Sequence, residues 1–295
     1  MPRRTGLARA TYARSMEIQN GDLTLHVDTD GSAGSPPLLL LHGITSCTRT
    51  WDWLVPDLAE RYHVLRLDFR GHGRSDRAPG TYEFPGYVAD AASVCQQVAG
   101  QPCIVMGHSL GGGTAAALAQ QQPALVRAVV LEDPPLGSTR DLEGNTLLDA
   151  FRLMRESIPK FQESGMDVGT LSQMLADAPS ASGPTFGELL HADALTVMAD
   201  GMLALDPTVL DPVLDGTLTH SYDPGKGIPV PTLLITADPA SPDAVTCAAD
   251  VEQLAATTPG AEVRVMNGSG HLVHDELAHR DEFSAAVLDF LDRLG

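Results

Sequence analysis

The chain has 295 residues, of which 43% are hydrophobic, and a formal net charge of −19 at pH 7. This length and composition predict a soluble globular protein with a large core, either one long domain or one domain carrying an insertion. The acidic balance argues against nucleic acid and anionic membrane surfaces as partners, since both require a basic footprint. No apolar run approaches the roughly 18 residues that span a bilayer, so we predict no membrane insertion.

The N-terminus and the cysteines bear on the compartment. The opening MPRRTGLARATYARS is basic, but no apolar stretch follows its arginines, so we predict a short frayed tail and no signal peptide. The four cysteines, Cys47, Cys95, Cys103 and Cys247, have neither metal-ligand nor CxxC spacing. We therefore predict reduced thiols, a cytoplasmic location and no metal site.

The first half of the chain follows an α/β pattern. MEIQN and LTLHVDT alternate as an antiparallel strand pair should, and LLLLHG is typical of a strand buried on both faces of a parallel sheet. Short apolar strands then alternate with helices, which predicts a mostly parallel, doubly wound sheet. The helices predicted here are 50–62, 82–98 and 110–122, and the strands begin at His63, Cys103 and Val126.

The pattern changes between about 137 and 226. Strand-like runs disappear, and helical stretches alternate with breaks rich in proline, glycine and serine. We predict a helical cap, 137–226, inserted into a core made of 1–136 and 227–295. The α/β pattern resumes with a strand in PTLLITAD, a helix over 251–256, a strand over 261–266 and a last helix from Glu276.

The apolar residues of the predicted cap indicate a hydrophobic pocket. Most of them should nevertheless pack the core of the cap itself. They are Phe151, Met154, Leu171, Met174, Leu189, Met198, Met202 and Leu203.

Ser109 is the candidate nucleophile. It lies in Gly107-His108-Ser109-Leu110-Gly111, between the apolar strand CIVM and an alanine-rich helix. A serine on so sharp a turn needs neighbours without side chains two residues away, and the helix that follows offers free N–H groups. A phosphate-binding P-loop would need a lysine that is absent here, and a dinucleotide fingerprint would follow the first strand of the fold.

A serine nucleophile requires a base, and His271 is the preferred histidine. It follows the turn Gly268-Ser269-Gly270, after a strand and before the last helix. That placement predicts a loop at the carboxyl edge of the sheet, where ligands bind in open α/β sheets. His274 is the alternative base.

Four motifs in this order resemble the α/β-hydrolase fold over nearly the full length. They are LLLLHG for the oxyanion strand, DFRGHGRSD for the loop after the fourth strand, GHSLGGG for the nucleophile elbow and GSGHLVHDE for the histidine loop. The resemblance implies a triad in the order nucleophile, acid, histidine. It also implies an oxyanion hole made by the backbone N–H groups of Ile44 and Leu110.

The acid is less clear from the motifs. In similar proteins it usually follows the strand that corresponds to PTLLITAD, as a glycine, two residues and then Asp. Here Ala237 replaces that glycine, and an alanine also stands where the Asp would fall. The alternative position for the acid follows the preceding strand, in VVLEDPP. Pancreatic-type lipases and certain mycotoxin lactonases look similar, since they carry their acid after that strand. The candidates, in order of preference, are Asp133, Asp238, and then Asp243 or Glu132.

These residues predict a serine hydrolase that cleaves a carboxylic ester or lactone of a hydrophobic small molecule through an acyl-enzyme, without metal or cofactor. Haloalkane dehalogenases and epoxide hydrolases of the similar family use an aspartate nucleophile. The serine at position 109 therefore disfavours both of these activities. Two alternatives stay open: a small-molecule sensor with an intact but slow triad, and a C–C bond hydrolase or thioesterase of the same fold.

Overall fold

The computed structural model describes residues 14–136, 146–218 and 221–295, so the predicted N-terminal tail lies almost wholly outside it. The strands are β1 (Arg14–Asn20), β2 (Leu23–Asp30), β3 (Pro37–Leu41), β4 (His63–Leu67), β5 (Cys103–His108), β6 (Val126–Glu132), β7 (Thr232–Thr236) and β8 (Glu262–Val265). They form one eight-stranded sheet in the order β1-β2-β4-β3-β5-β6-β7-β8. The pairs β1-β2 and β2-β4 are antiparallel and the others parallel, which confirms the predicted fold class.

Helices cover both faces of this sheet. They are α1 (Val55–Ala59), α2 (Phe84–Val94), α3 (Leu110–Gln121), α4 (Thr146–Ser164), α5 (Val168–Asp177), α6 (Phe186–Leu189), α7 (Ala192–Ala204), α8 (Asp211–Leu214), α9 (Ala248–Thr257) and α10 (Arg280–Leu294). Successive residues of β3 belong to different cores: Leu39 packs in the core with α2 and α3, and Leu40 in the core with α1 and α10. An all-apolar strand is therefore buried on both faces, as LLLLHG predicts.

Two predicted helices begin later than expected. The segment predicted as one helix over 50–62 is a 3₁₀ turn at Thr48–Trp51 followed by the short α1. Pro56 explains the restart, because proline fits the first turn of a helix but not its interior. The last helix begins at Arg280, because Glu276 is extended and forms a β-bridge with Leu190.

Five helices, α4 to α8, lie between β6 and β7 in the chain, in the segment for which a cap is predicted. Residues 137–145 and 219–220 of that segment are outside the described residues. The start of α7 is attached to the loop between β8 and α10, where the His191 N–H donates to Asp275 O at 3.0 Å. Arg280 forms an ion pair with Asp193 at 2.9 Å in the same place. Across the described ranges, no helix is both long enough and apolar enough to cross a membrane.

The register of the parallel strands brings the predicted site residues to one edge. Leu41 pairs with Gly107, His108 with Glu132, and Glu132 with Ile235. The segments that follow β3, β5 and β6 therefore leave the sheet side by side. They carry Ile44, Ser109 and Asp133.

Candidate active site

Ser109 occupies a strained turn between β5 and α3. Its backbone has φ 51° and ψ −114°, a conformation that residues with a side chain rarely adopt. A Cβ atom at position 107 would lie 2.3 Å from Gly111 O, and one at position 111 would lie 2.4 Å from Leu41 O. The turn thus requires both glycines of the motif. The Ser109 N–H donates to Glu132 O at 2.8 Å, which fixes the turn to β6.

His271 and Asp133 form a buried pair. The His271 Nδ1–H donates to Asp133 Oδ2 at 2.7 Å, and the two side chains are 6% and 0% exposed. Asp133 also accepts backbone N–H groups from Ala237, Val245 and Thr246, at 2.9 to 3.3 Å. Four donors around one carboxylate hold it as a fixed acceptor for the imidazole.

Two other candidate acids accept hydrogen bonds from groups other than His271. Asp238 is partly exposed and accepts the N–H groups of Ala240 and Gly268 at 2.9 and 2.7 Å. Asp243 accepts the hydroxyl of Ser241 at 2.6 Å. Of the four carboxylates considered from sequence, the structure brings Asp133 to His271.

The two amides predicted for the oxyanion hole flank the serine. A Cβ at Gly43 would lie 3.5 Å from Ser109 Cβ, so the segment that leads to Ile44 passes directly beside the serine. Within the described residues, neither the Ile44 N–H nor the Leu110 N–H has a hydrogen-bond acceptor. Leu110 begins α3, where the N–H groups of the first turn point away from the helix.

Three buried histidines near this edge are neutral. Burial lowers the pKa of His42 to about 4 and that of His72 to about 3, and it lowers the pKa of His108 well below its usual value. Neutral His42 donates from Nδ1 to Gly43 O at 2.8 Å and accepts the Phe69 N–H at Nε2. His42 therefore supports the segment before Ile44 structurally.

A small cavity of about 50 Å³ adjoins the predicted oxyanion segment and His108, the residue before the serine. Gly43, Ile44 and His108 line one side of it. The apolar side is formed by Met154 of α4, by Met198 and Met202 of α7, and by Leu272. Of the eight apolar residues proposed for a pocket from sequence, these three methionines reach the cavity, whereas Phe151 and Leu171 are buried in the core and Met174 is exposed.

A second histidine–carboxylate pair lies beside the first. His274 Nδ1 is 2.8 Å from both carboxylate oxygens of Glu132, and the two side chains are 1% and 0% exposed. From sequence, His274 is a candidate base and Glu132 a candidate acid, but the structure pairs them with each other. Two features of the sequence could have indicated this second pair. They are the two consecutive acids in LED and the HxxH spacing of the histidine loop.

Comparison with known proteins identifies the family. A model of the alpha/beta hydrolase family matches residues 38–286. The 2-(acetamidomethylene)succinate hydrolase of Mesorhizobium japonicum is 37% identical over 119 residues, which cover 40% of this chain and 42% of that protein. The sn-1-specific diacylglycerol lipase ABHD11 of Mus musculus is 25% identical over 276 residues, covering 89% of this chain and 83% of that protein.

Solved structures agree on the fold. The crystal structure of an E-2-(acetamidomethylene)succinate hydrolase covers 95% of this chain and is itself covered in full, with a TM-score of 0.76 and 24% identity. An enol-lactonase from Burkholderia xenovorans covers 94% of this chain, also over its whole length, with a TM-score of 0.69 and 20% identity. The resemblance that the four motifs indicate is confirmed, and the chain belongs to the alpha/beta hydrolase family.

Proposed function

We propose that the chain is a serine hydrolase that cleaves a carboxylic ester or lactone of a hydrophobic small molecule. Ser109 is the nucleophile, His271 the general base and acid, and Asp133 the residue that orients His271. The observation that carries this proposal is the 2.7 Å contact between His271 Nδ1 and Asp133 Oδ2, next to the strained turn of Ser109.

In the proposed reaction, Asp133 holds the proton of His271 on Nδ1, which leaves Nε2 to accept the proton of the Ser109 hydroxyl. The serine oxygen attacks the carbonyl carbon, and the N–H groups of Ile44 and Leu110 stabilise the oxyanion. His271 then protonates the departing alcohol, and water cleaves the acyl-enzyme in a second, similar step. Removal of one oxyanion donor typically costs about 3 to 4 kcal/mol, so the two amides are a major part of the proposed rate enhancement. The scheme uses side chains and backbone amides alone, and we propose no metal or cofactor for it.

The proposed substrate is apolar next to its carbonyl group. Three methionines form much of the cavity wall, and methionine side chains adapt to irregular apolar groups. An ester is supported by the relative named as a diacylglycerol lipase, which matches 89% of this chain.

We also propose that 137–226 acts as a cap over this site. Support comes from α4 and α7, which contribute three methionines to the cavity that Gly43, Ile44 and His108 also line. A second support is the contact of α7 with the segment after Ile44: a Cβ at Gly201 would lie 2.8 Å from Thr45 O.

We infer a reducing, cytoplasmic environment for the protein. All four cysteines are free thiols, and three of them are buried. Burial and the nearby Asp68 charge raise the pKa of Cys47, which keeps that thiol protonated and unreactive.

The function is tested with p-nitrophenyl butyrate, a simple γ-lactone and an anilide of butyric acid, each assayed with wild type, Ser109→Ala and Ser93→Ala. Ser93 lies in α2, away from the site, and its hydroxyl bonds to Ala89 O, so Ser93→Ala is a matched control. Steady turnover of ester or lactone by wild type and Ser93→Ala, lost in Ser109→Ala, is the expected result.

Other outcomes would change the assignment. A stoichiometric burst without turnover would favour the sensor alternative, because the acyl-enzyme would form and persist. Turnover that survives in Ser109→Ala would refute Ser109 as the nucleophile.

A further inference from the structure

The ring of His274 is bonded at both nitrogens, to different parts of the fold. Nδ1 contacts Glu132 at the end of β6, as described above. Nε2 lies 2.8 Å from Thr50 Oγ1, in the 3₁₀ turn that follows the Ile44 segment. The indole of Trp51, in the same turn, stacks on the ring at 4.6 Å between centroids and at an angle of 27°. One side chain therefore connects β6, the histidine loop and the chain segment beyond the proposed oxyanion hole.

The backbone of His274 is fixed as firmly as its side chain. Its N–H donates to Glu132 Oε1 at 3.0 Å, so the same carboxylate receives both the ring and the main chain. Its carbonyl accepts a bond from Arg280 Nε at 3.1 Å, at the start of α10. His274 lies three residues after His271, so the position of one limits the position of the other.

Charged and titratable groups face the ring from every element packed on it. Asp275 Oδ1 is 3.4 Å from Nε2, Glu132 lies at Nδ1, Arg280 approaches from α10, and the neutral ring of His108 is 5.1 Å away between centroids. Burial opposes a charge on His274, but Asp275 and Glu132 outweigh it and raise its pKa to about 9. The charged ring donates from both nitrogens at neutral pH, to Glu132 and to Thr50.

We propose that His274 and Glu132 are positioning residues for the catalytic machinery, which set the His271 loop and the oxyanion segment relative to the strand that carries Asp133. This inference rests on the proposed function, since it presupposes that His271 and Asp133 are catalytic. Glu132 and Asp133 are consecutive, so β6 presents one carboxylate that orients the base and another that fixes the loop around it.

The predicted consequence is a loss of reactivity in a protein that still folds. A misplacement of about 1 Å in catalytic geometry can cost on the order of 100-fold in rate. Glu132→Gln keeps an acceptor oxygen but removes the charge, and His274→Gln keeps an amide near the position of Nε2. We expect each of these two substitutions to lower the reactivity of Ser109 by about 10- to 100-fold. Thr50→Val removes only the bond between His274 and the 3₁₀ turn, and we expect it to lower the reactivity less.

The test uses a fluorophosphonate, because its reaction with the serine does not depend on the identity of the substrate. The serine oxygen forms a bond to phosphorus as His271 takes its proton, the P–F bond breaks and fluoride leaves. The second-order labelling rate is measured from pH 5 to 10 for wild type, Glu132→Gln, His274→Gln, Thr50→Val and Asp90→Asn. Asp90→Asn is the matched control, since Asp90 is also a fully buried carboxylate in an ion pair, with Arg70 at 2.7 Å, but lies in α2. Circular dichroism checks the fold of each variant.

The pH profile separates positioning from a loss of stability. Wild-type labelling should fall at the alkaline end near pH 9, as His274 loses its proton. In Glu132→Gln this fall should move down by at least about one pH unit, because one of the two charges that favour the imidazolium is gone. Asp90→Asn should retain the wild-type rate and profile.

Each result decides the inference. Wild-type labelling rates in folded Glu132→Gln or His274→Gln would overturn it while leaving the proposed function intact. An unmoved alkaline limb in Glu132→Gln would overturn it too, as would an equal loss in Asp90→Asn. If both Glu132→Gln and His274→Gln fail to fold, an undiminished rate in Thr50→Val would refute the connection to the oxyanion segment. Absence of labelling in the wild type would instead refute the proposed function.

Discussion

Replacement of Asp133 by Asn discriminates most sharply between the candidate acids. Asp133 has φ 38°, and asparagine tolerates positive φ about as well as aspartate, so the substitution leaves the backbone unstrained. The carboxylate has two donors on each oxygen: His271 Nδ1 and the Val245 N–H on Oδ2, and the Ala237 and Thr246 N–H groups on Oδ1. An amide has one acceptor oxygen, so one of these pairs of donors must lose its partner.

The two orientations of the new amide differ in cost. With its nitrogen in place of Oδ1, the N–H groups of Ala237 and Thr246 are both buried without an acceptor, at about 1–3 kcal/mol each. With its nitrogen in place of Oδ2, only the Val245 N–H loses its bond to this side chain, because His271 can accept at Nδ1 by moving its proton to Nε2. The second orientation is favoured, and it leaves His271 in the tautomer that cannot take a proton from serine.

We therefore expect Asp133→Asn to lose about 10⁴-fold in kcat, as is typical when the triad histidine has the wrong tautomer, and about 1–3 kcal/mol in the free energy of unfolding. The assays are p-nitrophenyl butyrate hydrolysis and denaturant unfolding. Asp238→Asn, at a partly exposed position away from His271, should keep near wild-type turnover. A variant Asp133→Asn with more than a tenth of wild-type kcat, or a collapse of activity in Asp238→Asn, would refute the assignment of the acid.

Two further predictions concern the surroundings of the site. The folded protein raises the pKa of His274 from 6.5 to about 9, so its contribution to stability is fully present below pH 6.5 and is lost as pH rises through 9. The free energy of unfolding should fall by about 3 kcal/mol over that interval, by linkage at about 1.4 kcal/mol per pKa unit, and His274→Gln, measured by urea unfolding in parallel, should lack this component. Gly201→Ala places a Cβ 2.8 Å from Thr45 O and 3.1 Å from Ser46 Cα, so α7 and the oxyanion segment must separate by a few tenths of an ångström. We expect a lower kcat for p-nitrophenyl butyrate with thermal stability reduced only modestly, and an unchanged kcat would show that α7 does not restrain the segment.

Local patterns were sufficient to predict the sheet and the sharp turn at Ser109. The run LLLLHG and the glycines at 107 and 111 express constraints that act within a few residues, namely burial on both faces and close backbone contact. Local patterns do not identify the partner of His271, because Asp133 is 138 positions away along the chain. The alanine at 237 and the likeness of VVLEDPP to certain lipases favoured Asp133, but only the register of β6 beside β7 shows which carboxylates reach the histidine loop.

The pairing of Glu132 with His274 could not be derived from sequence for a related reason. Glu132 is the last residue of β6 and Asp133 follows it with φ 38°, so the alternation of side chains along a strand does not predict the direction of Asp133. Which histidine each one meets depends on how the loop turns between His271 and His274, and that turn has no local motif. The residues that line the cavity could not be predicted from sequence either. The packing of α4 and α7, not their periodicity, determines that Met154, Met198 and Met202 line it.

Backbone strain lies at two residues of the proposed site and beside a third. Within residues 14–136, 146–218 and 221–295, the non-glycine residues with positive φ are Thr45, Ser109 and Asp133, at φ 70°, 51° and 38°. Each costs on the order of 1–3 kcal/mol and persists only where the surrounding structure enforces it. The Ser109 N–H is held by Glu132 O and the Asp133 N–H by Ile235 O, both at 2.8 Å, so the sheet itself imposes the two conformations. Thr45 is the third residue of a turn in which the Ser46 N–H donates to Gly43 O at 3.2 Å, and α7 packs on this turn at Gly201. The strain at Ser109 and Asp133 thus belongs to the sheet. The strain at Thr45 belongs to the turn that carries the proposed Ile44 amide, so that turn is the part of the proposed site that α7 contacts.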